Sequence, residues 1–287
     1  MCRFLLYAGE PIHLSSLITE PEHSLIRQSF HSREREEPLN GDGFGIAWYA
    51  PEVHSDAVLF RSITPAWSNQ NLRHLSKAIR SRCVLAHVRA ASSGLSVSES
   101  NTHPFVCGPY AFMHNGLLAD YWRHRRDLLG LLDERHYEMV RGTTDTECLF
   151  VHVLQDLAKS GSVTARKMAT SLEKSIGKIL AVLAEKGVNA PSYINAVLSD
   201  GREAVACRYT NADDQQAPSL HLHTGRLYTC RSGKPELVEA HEDEHSVIIS
   251  SEPLTGDASW QTLPNNSIVT IDSTRSVSIR PIEVGLP

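Results

Sequence analysis

The sequence lacks several features that mark common classes of protein. It has no apolar run near the roughly 18 residues that span a membrane, and its start does not resemble a secretory signal. Its six cysteines are scattered without CxxC spacing, which argues against a zinc cage or a disulfide framework. A net charge of −5 with interspersed signs leaves no basic stripe for nucleic acid. These absences predict a reduced, cytoplasmic protein with no membrane and no nucleic-acid partner.

What the chain does have is enough apolar sequence, 41% of 287 residues, for a packed core. Short apolar segments between turn residues predict strands in the first third, among them CRFLLYAG, GFGIAWYA and RCVLAHVR. Helical periodicity then runs through 145–186 and stops at Gly187, after which strand-like segments resume. Strands, two helices and strands again predict an α+β layered architecture with largely antiparallel sheets, in a single domain over 2–287.

A cysteine stands at position two, directly behind the initiator methionine. Removal of Met1 would give Cys2 a free α-amine with a pKa of about 7.7–8.0, beside a thiol with a pKa of about 8.5. Such a residue holds a nucleophile and a base together. The alternative is that Cys2 only begins a buried strand, since the stretch CRFLLYA is apolar.

The segment LAHVRAASSG ends a predicted strand at Arg89 and continues into a loop of small residues. A guanidinium group at a strand end can donate two hydrogen bonds to a carboxylate. The alternative is a surface arginine in a salt bridge, and the Ser- and Gly-rich loop could either close over a ligand or simply connect two elements.

The segments NTHPF and FMHNGLL follow, and the second contains Asn115 and Gly116. An Asn-Gly pair after a short strand first predicts a tight turn. The asparagine amide and the glycine N–H are also two convergent donors, which is what an oxyanion hole requires. The residues alone leave both interpretations open.

The segment RGTTDTECLF places Thr143, Thr144 and Asp145 at a predicted helix start. Thr and Asp are preferred N-cap residues, so capping is the simplest interpretation. Alternatively, the Asp145 carboxylate binds an ammonium group. Arg89 and Asp145 would then hold the α-carboxylate and the α-ammonium of an amino acid, whose side chain stays free to reach a nucleophile.

Two histidine-containing segments, HLH at 221–223 and AHEDEH at 240–245, could each hold a metal ion. Solvated strand and loop residues are the simpler interpretation, so no metal site is predicted. PLNGDGFG at 38–45 lacks the GxGxxG spacing and the following helix of a nucleotide-binding loop. No cofactor is predicted either.

The order of these motifs resembles that of the class II glutamine amidotransferases: an N-terminal Cys, a strand ending in Arg, NTHPF, HNG and TDTE. NGDGFG and the tail VIISSEPLTGDASW are similar to the small, stand-alone members of the class. These members include a glutathione-degrading subunit of yeast and an ergothioneine-pathway γ-glutamyl hydrolase. One departure is Leu39, which stands where larger members carry the arginine of an RGxD motif; Asp42 aligns with its aspartate, and no catalytic role is assigned to it.

The resemblance implies the N-terminal nucleophile hydrolase fold, a four-layer αββα sandwich of two mainly antiparallel sheets. It implies that Cys2 is the nucleophile and that Asn115 and Gly116 form the oxyanion hole. Arg89 would bind the substrate α-carboxylate and Asp145 the α-ammonium. His103 matches the histidine of the NAHP segment of this class, which shapes the glutamine loop.

The resemblance also implies an activity. The expected reaction is hydrolysis of a small γ-glutamyl compound, such as glutamine, glutathione or another γ-glutamyl amide, through a γ-glutamyl-Cys2 thioester. Two alternatives stay open: an ammonia-donating glutaminase subunit of a separate synthetase, and a non-catalytic γ-glutamyl binding module. The implied protein partner is metallopeptidase-like or a synthetase.

Overall fold

The structure is a computed structural model that describes residues 2–34, 39–91, 96–159, 161–231, 234–239 and 245–285. Its strands are β1 Arg3–His13, β2 Phe44–Ala50, β3 His54–Ser62, β4 Arg80–Val88, β5 Phe105–Cys107, β6 Tyr110–Leu117, β7 Tyr193–Ser199, β8 Ala204–Thr210, β9 His221–Arg231, β10 Lys234–Val238, β11 Ser246–Ser250, β12 Gln261–Thr262, β13 Ser267–Ile271 and β14 Val277–Pro281. Its helices are α1 Ser15–Ile18, α2 Leu25–Gln28, α3 Gln70–Ala78, α4 Tyr121–Leu129, α5 Glu134–Tyr137, α6 Asp145–Leu157 and α7 Ala165–Glu185, with short 3₁₀ turns at Ala66–Ser68 and Glu99–Asn101.

Two antiparallel sheets form the centre of the fold. The first has the strand order β10-β9-β11-β1-β4-β2-β3, with β12 beside β9, and the second has the order β14-β13-β8-β7-β6-β5. Neighbouring strands in both sheets run antiparallel. Because β1 lies between β11 and β4, the residue that precedes it is flanked by the ends of both neighbours.

The two sheets face each other across an apolar core and carry helices on their outer faces. Phe4 and Leu6 of β1 belong to the inter-sheet core with Met113 of β6. Leu5 and Tyr7 belong to the cluster under α1, α2 and α3. Helices α4, α6 and α7 cover the outer face of the second sheet. Both faces of β1 are therefore buried, which explains its continuous apolar run, and the layers confirm the predicted αββα sandwich.

The two predicted helices form as α6 and α7, and each has a threonine N-cap. The Thr144 hydroxyl accepts a hydrogen bond from the Glu147 N–H at 3.1 Å, and Thr164 caps α7 in the same way. Gly187 follows α7 with φ +77°, a left-handed conformation that glycine adopts without steric cost. No helix in the described ranges is long and apolar enough to cross a membrane.

Asn115 and Gly116 do not form a tight turn, so that interpretation is wrong. Both lie within β6, where they pair with Asn195 and Ile194 of β7. A Cβ at Gly116 would lie 1.8 Å from the Tyr193 carbonyl oxygen, so the approach of the two strands requires glycine here. Long-range strand pairing has overridden the local turn preference of the Asn-Gly pair.

Candidate functional site

Cys2 lies immediately before β1 and is partly buried. The β1–β4 register pairs Arg3 with Val88, which places Cys2 opposite the end of β4. The Cys2 Sγ accepts a hydrogen bond from the Ala90 N–H at 3.4 Å. Burial raises the pKa of the thiol, and the Ala90 N–H and the positive charge of Arg89 oppose that rise without cancelling it. At neutral pH the thiol is therefore protonated and needs a base to become a nucleophile.

Arg89 is buried at the end of β4, where the NGDGFG loop holds its backbone. The Arg89 N–H donates to the Gly43 carbonyl at 2.8 Å, and the Asp42 N–H donates to the Arg89 carbonyl at 3.0 Å. The Asp42 carboxylate accepts from the Ala91 N–H at 2.8 Å. Gly43 has φ +109°, which favours glycine. Asp42 thus fixes the segment that carries both Arg89 and the Ala90 N–H bonded to Cys2.

A chain of hydrogen bonds connects Arg89 to the segment of Asp145. Both terminal nitrogens of the Arg89 guanidinium donate to the Ser96 carbonyl at 3.4 Å, and the Asn101 amide donates to the same carbonyl at 3.2 Å. The Asn101 side-chain oxygen accepts from the Thr143 N–H at 2.8 Å. Two residues further on, Asp145 begins α6. Hydrogen bonds through Ser96 and Asn101 therefore connect Arg89 to the segment that carries Asp145.

Asp145 is the first residue of α6, and the N-cap role falls to Thr144 instead. One oxygen of the half-buried Asp145 carboxylate accepts from the Leu118 N–H at 2.9 Å, and the other accepts from the Thr146 N–H at 2.8 Å. No cationic side chain pairs with Asp145 within the described ranges. The arrangement leaves a carboxylate oriented by two backbone donors and able to accept an ammonium group.

Asn115 reaches the Cys2 end of the fold from the facing sheet. It is buried and lines a polar gap too narrow for a water molecule, together with Arg3 of β1 and with Ser251 and Glu252, which follow β11. Its side-chain oxygen is buried and has no hydrogen-bond partner among the described residues. The structure thus brings Asn115, and with it Gly116, to the residues that flank Cys2.

His103 is buried behind these residues, in contact with a second histidine. The Nδ1 of His103 lies 2.9 Å from the Nε2 of His87. The same His87 Nε2 lies 3.3 Å from the His114 carbonyl oxygen. Burial lowers the pKa of His103 well below its usual value and lowers the pKa of His87 to about 3, so both rings are neutral. His103 is thus connected to the carbonyl that precedes Asn115 through the ring of His87.

Sequence reasoning missed one pair beside Cys2, which is formed by Arg3 and Glu252. The Arg3 Nε donates to the Glu252 carboxylate at 2.9 Å, and both side chains are almost completely buried. The sequence did contain a signal for this pair, because a charged residue adjoins each of two apolar strand segments: Arg3 in CRFLLYA and Glu252 in VIISSEP. A charge buried in that position requires a partner.

The histidine segments do not converge on a metal site in the described part of the chain, where no group of three ligating side chains is placed to hold an ion. His221 pairs with Glu34 at 2.9 Å, and His223 lies 3.1 Å from the Ser259 hydroxyl. Residues 240–244 of AHEDEH lie outside the described residues.

Comparison with known proteins gives the family of the chain. The sequence matches the family described as glutamine amidotransferases class-II over residues 15–281. The chain belongs to the class II glutamine amidotransferases. It is thus an enzyme of this class, and the resemblance drawn from its motifs is confirmed.

Several relatives share most or part of the chain. A probable glutamine amidotransferase of Saccharomyces cerevisiae, DUG3, is 36% identical over 98% of this chain and 84% of its own length. A γ-glutamyl-hercynylcysteine sulfoxide hydrolase of Mycolicibacterium smegmatis is 36% identical over 41% of this chain and 52% of its own length. A solved glutamine aminotransferase class-II domain protein from Silicibacter pomeroyi has a TM-score of 0.66 at 25% identity, covering 98% of this chain and 100% of its own.

The neutral His87 makes folding stability depend on pH. Its pKa is about 3 in the folded protein and about 6.5 in an unfolded chain. As the pH falls below about 6.5 the unfolded chain takes up the proton first, so stability that is complete above that pH is lost progressively towards pH 3. We expect His87→Gln to reduce the loss of unfolding free energy between pH 7 and pH 5 by up to roughly 2 kcal/mol, measured by urea denaturation.

The control is His74→Gln, because His74 is exposed on α3. This variant is expected to keep the pH dependence of the parent protein. An unchanged pH dependence in His87→Gln as well would contradict a neutral, buried His87.

Proposed function

We propose that the chain hydrolyses γ-glutamyl amide bonds with the Cys2 thiol as nucleophile. The observation that carries the proposal is the convergence at one end of the sandwich. Cys2 directly precedes β1, Arg89 directly follows the adjacent β4, and Asn115 reaches the same end from β6 of the facing sheet. A nucleophile, a carboxylate-binding cation and an oxyanion donor are the parts that acyl transfer from an amino-acid amide needs.

Arg89 and Asp145 would bind the head group of the substrate. Among the residues that the structure describes, the Arg89 guanidinium makes two long bonds, both to the Ser96 carbonyl, and a substrate α-carboxylate would be a stronger acceptor. The oriented carboxylate of Asp145 would accept the α-ammonium. The Asn101 bridge between the two segments would set their separation, so that the site reads the amino-acid end and leaves the γ-carbonyl free to reach Cys2.

The chemistry would follow in two steps once Met1 is removed. The α-amine of Cys2 takes the thiol proton, and the thiolate attacks the γ-carbonyl carbon while the Asn115 amide and the Gly116 N–H stabilise the oxyanion. The carbon–nitrogen bond breaks, the leaving amine receives the proton, and a γ-glutamyl thioester remains. A water molecule then gives a proton to the α-amine of Cys2 and attacks the thioester carbonyl. This step releases glutamate, and the α-amine returns the proton to the thiolate.

The candidate substrates differ in the amine that leaves the γ-carbonyl. Glutamine, glutathione or another small γ-glutamyl compound would present the same head group to Arg89 and Asp145. The Mycolicibacterium smegmatis relative is named as a γ-glutamyl-hercynylcysteine sulfoxide hydrolase, which supports γ-glutamyl hydrolysis by this chain. A glutathione-type substrate and a metallopeptidase-like partner protein would follow from the resemblance to the small, stand-alone members of the class.

A second candidate function is ammonia supply to a separate synthetase. It is favoured by one relative, the glutamine–fructose-6-phosphate aminotransferase of Aliivibrio fischeri. That protein is 37% identical over 33% of this chain and only 15% of its own length, so the matched region is a small part of a larger enzyme. A rise in glutaminase rate on adding such a partner would support this function.

The first test is glutamate release from glutamine, glutathione and a γ-glutamyl anilide, with Cys2→Ala as the paired variant. We expect the parent protein, with Met1 removed as shown by intact mass, to release glutamate from at least one of them. Cys2→Ala is expected to retain less than about one thousandth of that rate, because the nucleophile is lost. Equal rates in the two proteins would contradict the assignment of Cys2.

The second test concerns the role of Asp145. In Asp145→Asn we expect kcat/KM for the preferred γ-glutamyl substrate to fall about 100-fold, since a charge-assisted bond to the α-ammonium is lost. The matching substrate without the α-amino group should be hydrolysed about equally by the variant and the parent protein. Asp156→Asn, in the same helix and bonded to Ser171, is the control that should leave both rates unchanged. A uniform loss on both substrates would contradict recognition of the ammonium by Asp145.

A further inference from the structure

Glu252 lies two residues after the end of β11, and its buried carboxylate accepts hydrogen bonds from four groups. One oxygen accepts from the Arg3 Nε at 2.9 Å and from the Ser32 hydroxyl. The other accepts from the Arg33 backbone N–H at 2.9 Å and from the His23 Nε2 at 2.8 Å. Burial opposes ionisation, but these bonds hold the pKa of Glu252 well below its usual value. Glu252 is therefore a fixed negative charge inside the fold.

Arg3 extends this cluster to the candidate nucleophile. Its Nη1 donates to the Cys2 carbonyl at 3.0 Å, and its Nη2 donates to the Ser32 hydroxyl at 2.6 Å. Relative exposure is 2% for Arg3 and 1% for Glu252. The desolvation cost of an ion pair so deeply buried can exceed its Coulombic gain, so general stability is a poor explanation for it. Its place beside Cys2 suggests another reason.

The strand order supplies that reason. Cys2 is the residue before β1, which lies between β4 and β11. On the β4 side the Ala90 N–H contacts the thiol. On the β11 side the Ser251 N–H donates to the Phe4 carbonyl at 3.0 Å, and Glu252 reaches the Cys2 carbonyl through Arg3. The thiol and the backbone of Cys2 are thus held from opposite sides.

We propose that Arg3 and Glu252 form a positioning pair for the Cys2 nucleophile. Glu252 fixes the guanidinium of Arg3, and the guanidinium fixes the Cys2 carbonyl and so the backbone that carries the thiol and the α-amine. The opposite charges of the pair also balance each other next to the thiol. This inference rests on the proposed function, and neither residue is assigned a contact with the substrate.

The test uses Arg3→Met, Glu252→Gln and the double variant that removes both charges. We expect kcat to fall about 100-fold in each, because a misplaced nucleophile loses its attack geometry. KM should stay within about threefold, because binding of the head group is assigned to Arg89 and Asp145.

The pH profile separates positioning from a merely structural role. Arg3→Met leaves the negative charge of Glu252 unbalanced, which raises the pKa of the group that must lose a proton at Cys2. The acid limb of the pH profile of kcat/KM should then shift to higher pH by roughly half a unit or more. Glu252→Gln leaves the positive charge of Arg3 unbalanced and should move the limb down by a similar amount. The double variant should return the limb to its position in the parent protein while kcat stays low.

The matched control is Glu173→Gln. Glu173 is also a buried partner of an arginine, with two bonds to Arg280 at 2.6 and 2.8 Å, but it lies on α7 in another layer. We expect Glu173→Gln to lower the unfolding temperature and to leave kcat and the acid limb of the pH profile unchanged. If the Arg3 and Glu252 variants behave in the same way, the pair is structural only and the proposal is wrong.

A measurement without turnover separates this proposal from the proposed function. The rate of alkylation of Cys2 by iodoacetamide, followed against pH by peptide mass mapping, reports the pKa of the thiol directly. If the parent protein releases no glutamate, the proposed function fails, and opposite shifts in the two single variants would still support the positioning pair. Identical alkylation profiles in all three variants and the parent would overturn it. The double variant buries no unbalanced charge, so it provides folded protein if a single variant does not fold.

Discussion

The antiparallel pairing of β1 with β4 is the constraint on which the candidate site depends. It sets Cys2 opposite the end of β4, where the Ala90 N–H donates to the thiol and the buried Arg89 turns towards the Ser96 carbonyl. The pairing is stable because both faces of β1 pack against apolar side chains, and a shift in register would misfit the side chains of β1 in both clusters. The position of the thiol thus follows from the burial of the strand behind it.

The rest of the site is attached to this strand pair by buried polar contacts. The neutral His87 lies between His103 and the carbonyl before Asn115, and so links the facing sheet to β4. Glu252 balances Arg3 on the other side of Cys2. Buried polar groups of this kind are costly unless they are satisfied, and each one removed leaves a partner unpaired. Such contacts give the site geometric precision more than they give the fold stability.

The family resemblance implied the αββα order and the roles of Arg89 and Asp145, and those roles stay predictions. The sequence itself predicted antiparallel layers, most strands and both long helices, because those features have local periodicity. It did not predict that Asn115 and Gly116 lie within a strand, since their pairing with β7 is long-range. Helix α4 was missed because four of its nine residues are charged and only three are buried. The partnership of Arg3 and Glu252 joins positions 249 residues apart and leaves no local pattern.

The most direct test of the account is to trap the covalent intermediate. The protein would be mixed with a γ-glutamyl substrate, quenched in acid within the first turnover, and analysed by intact mass and peptide mapping. The account predicts one added glutamyl group on a peptide whose first residue is Cys2. Glutamate release without an acyl group on Cys2, or with the group on another cysteine, would contradict it.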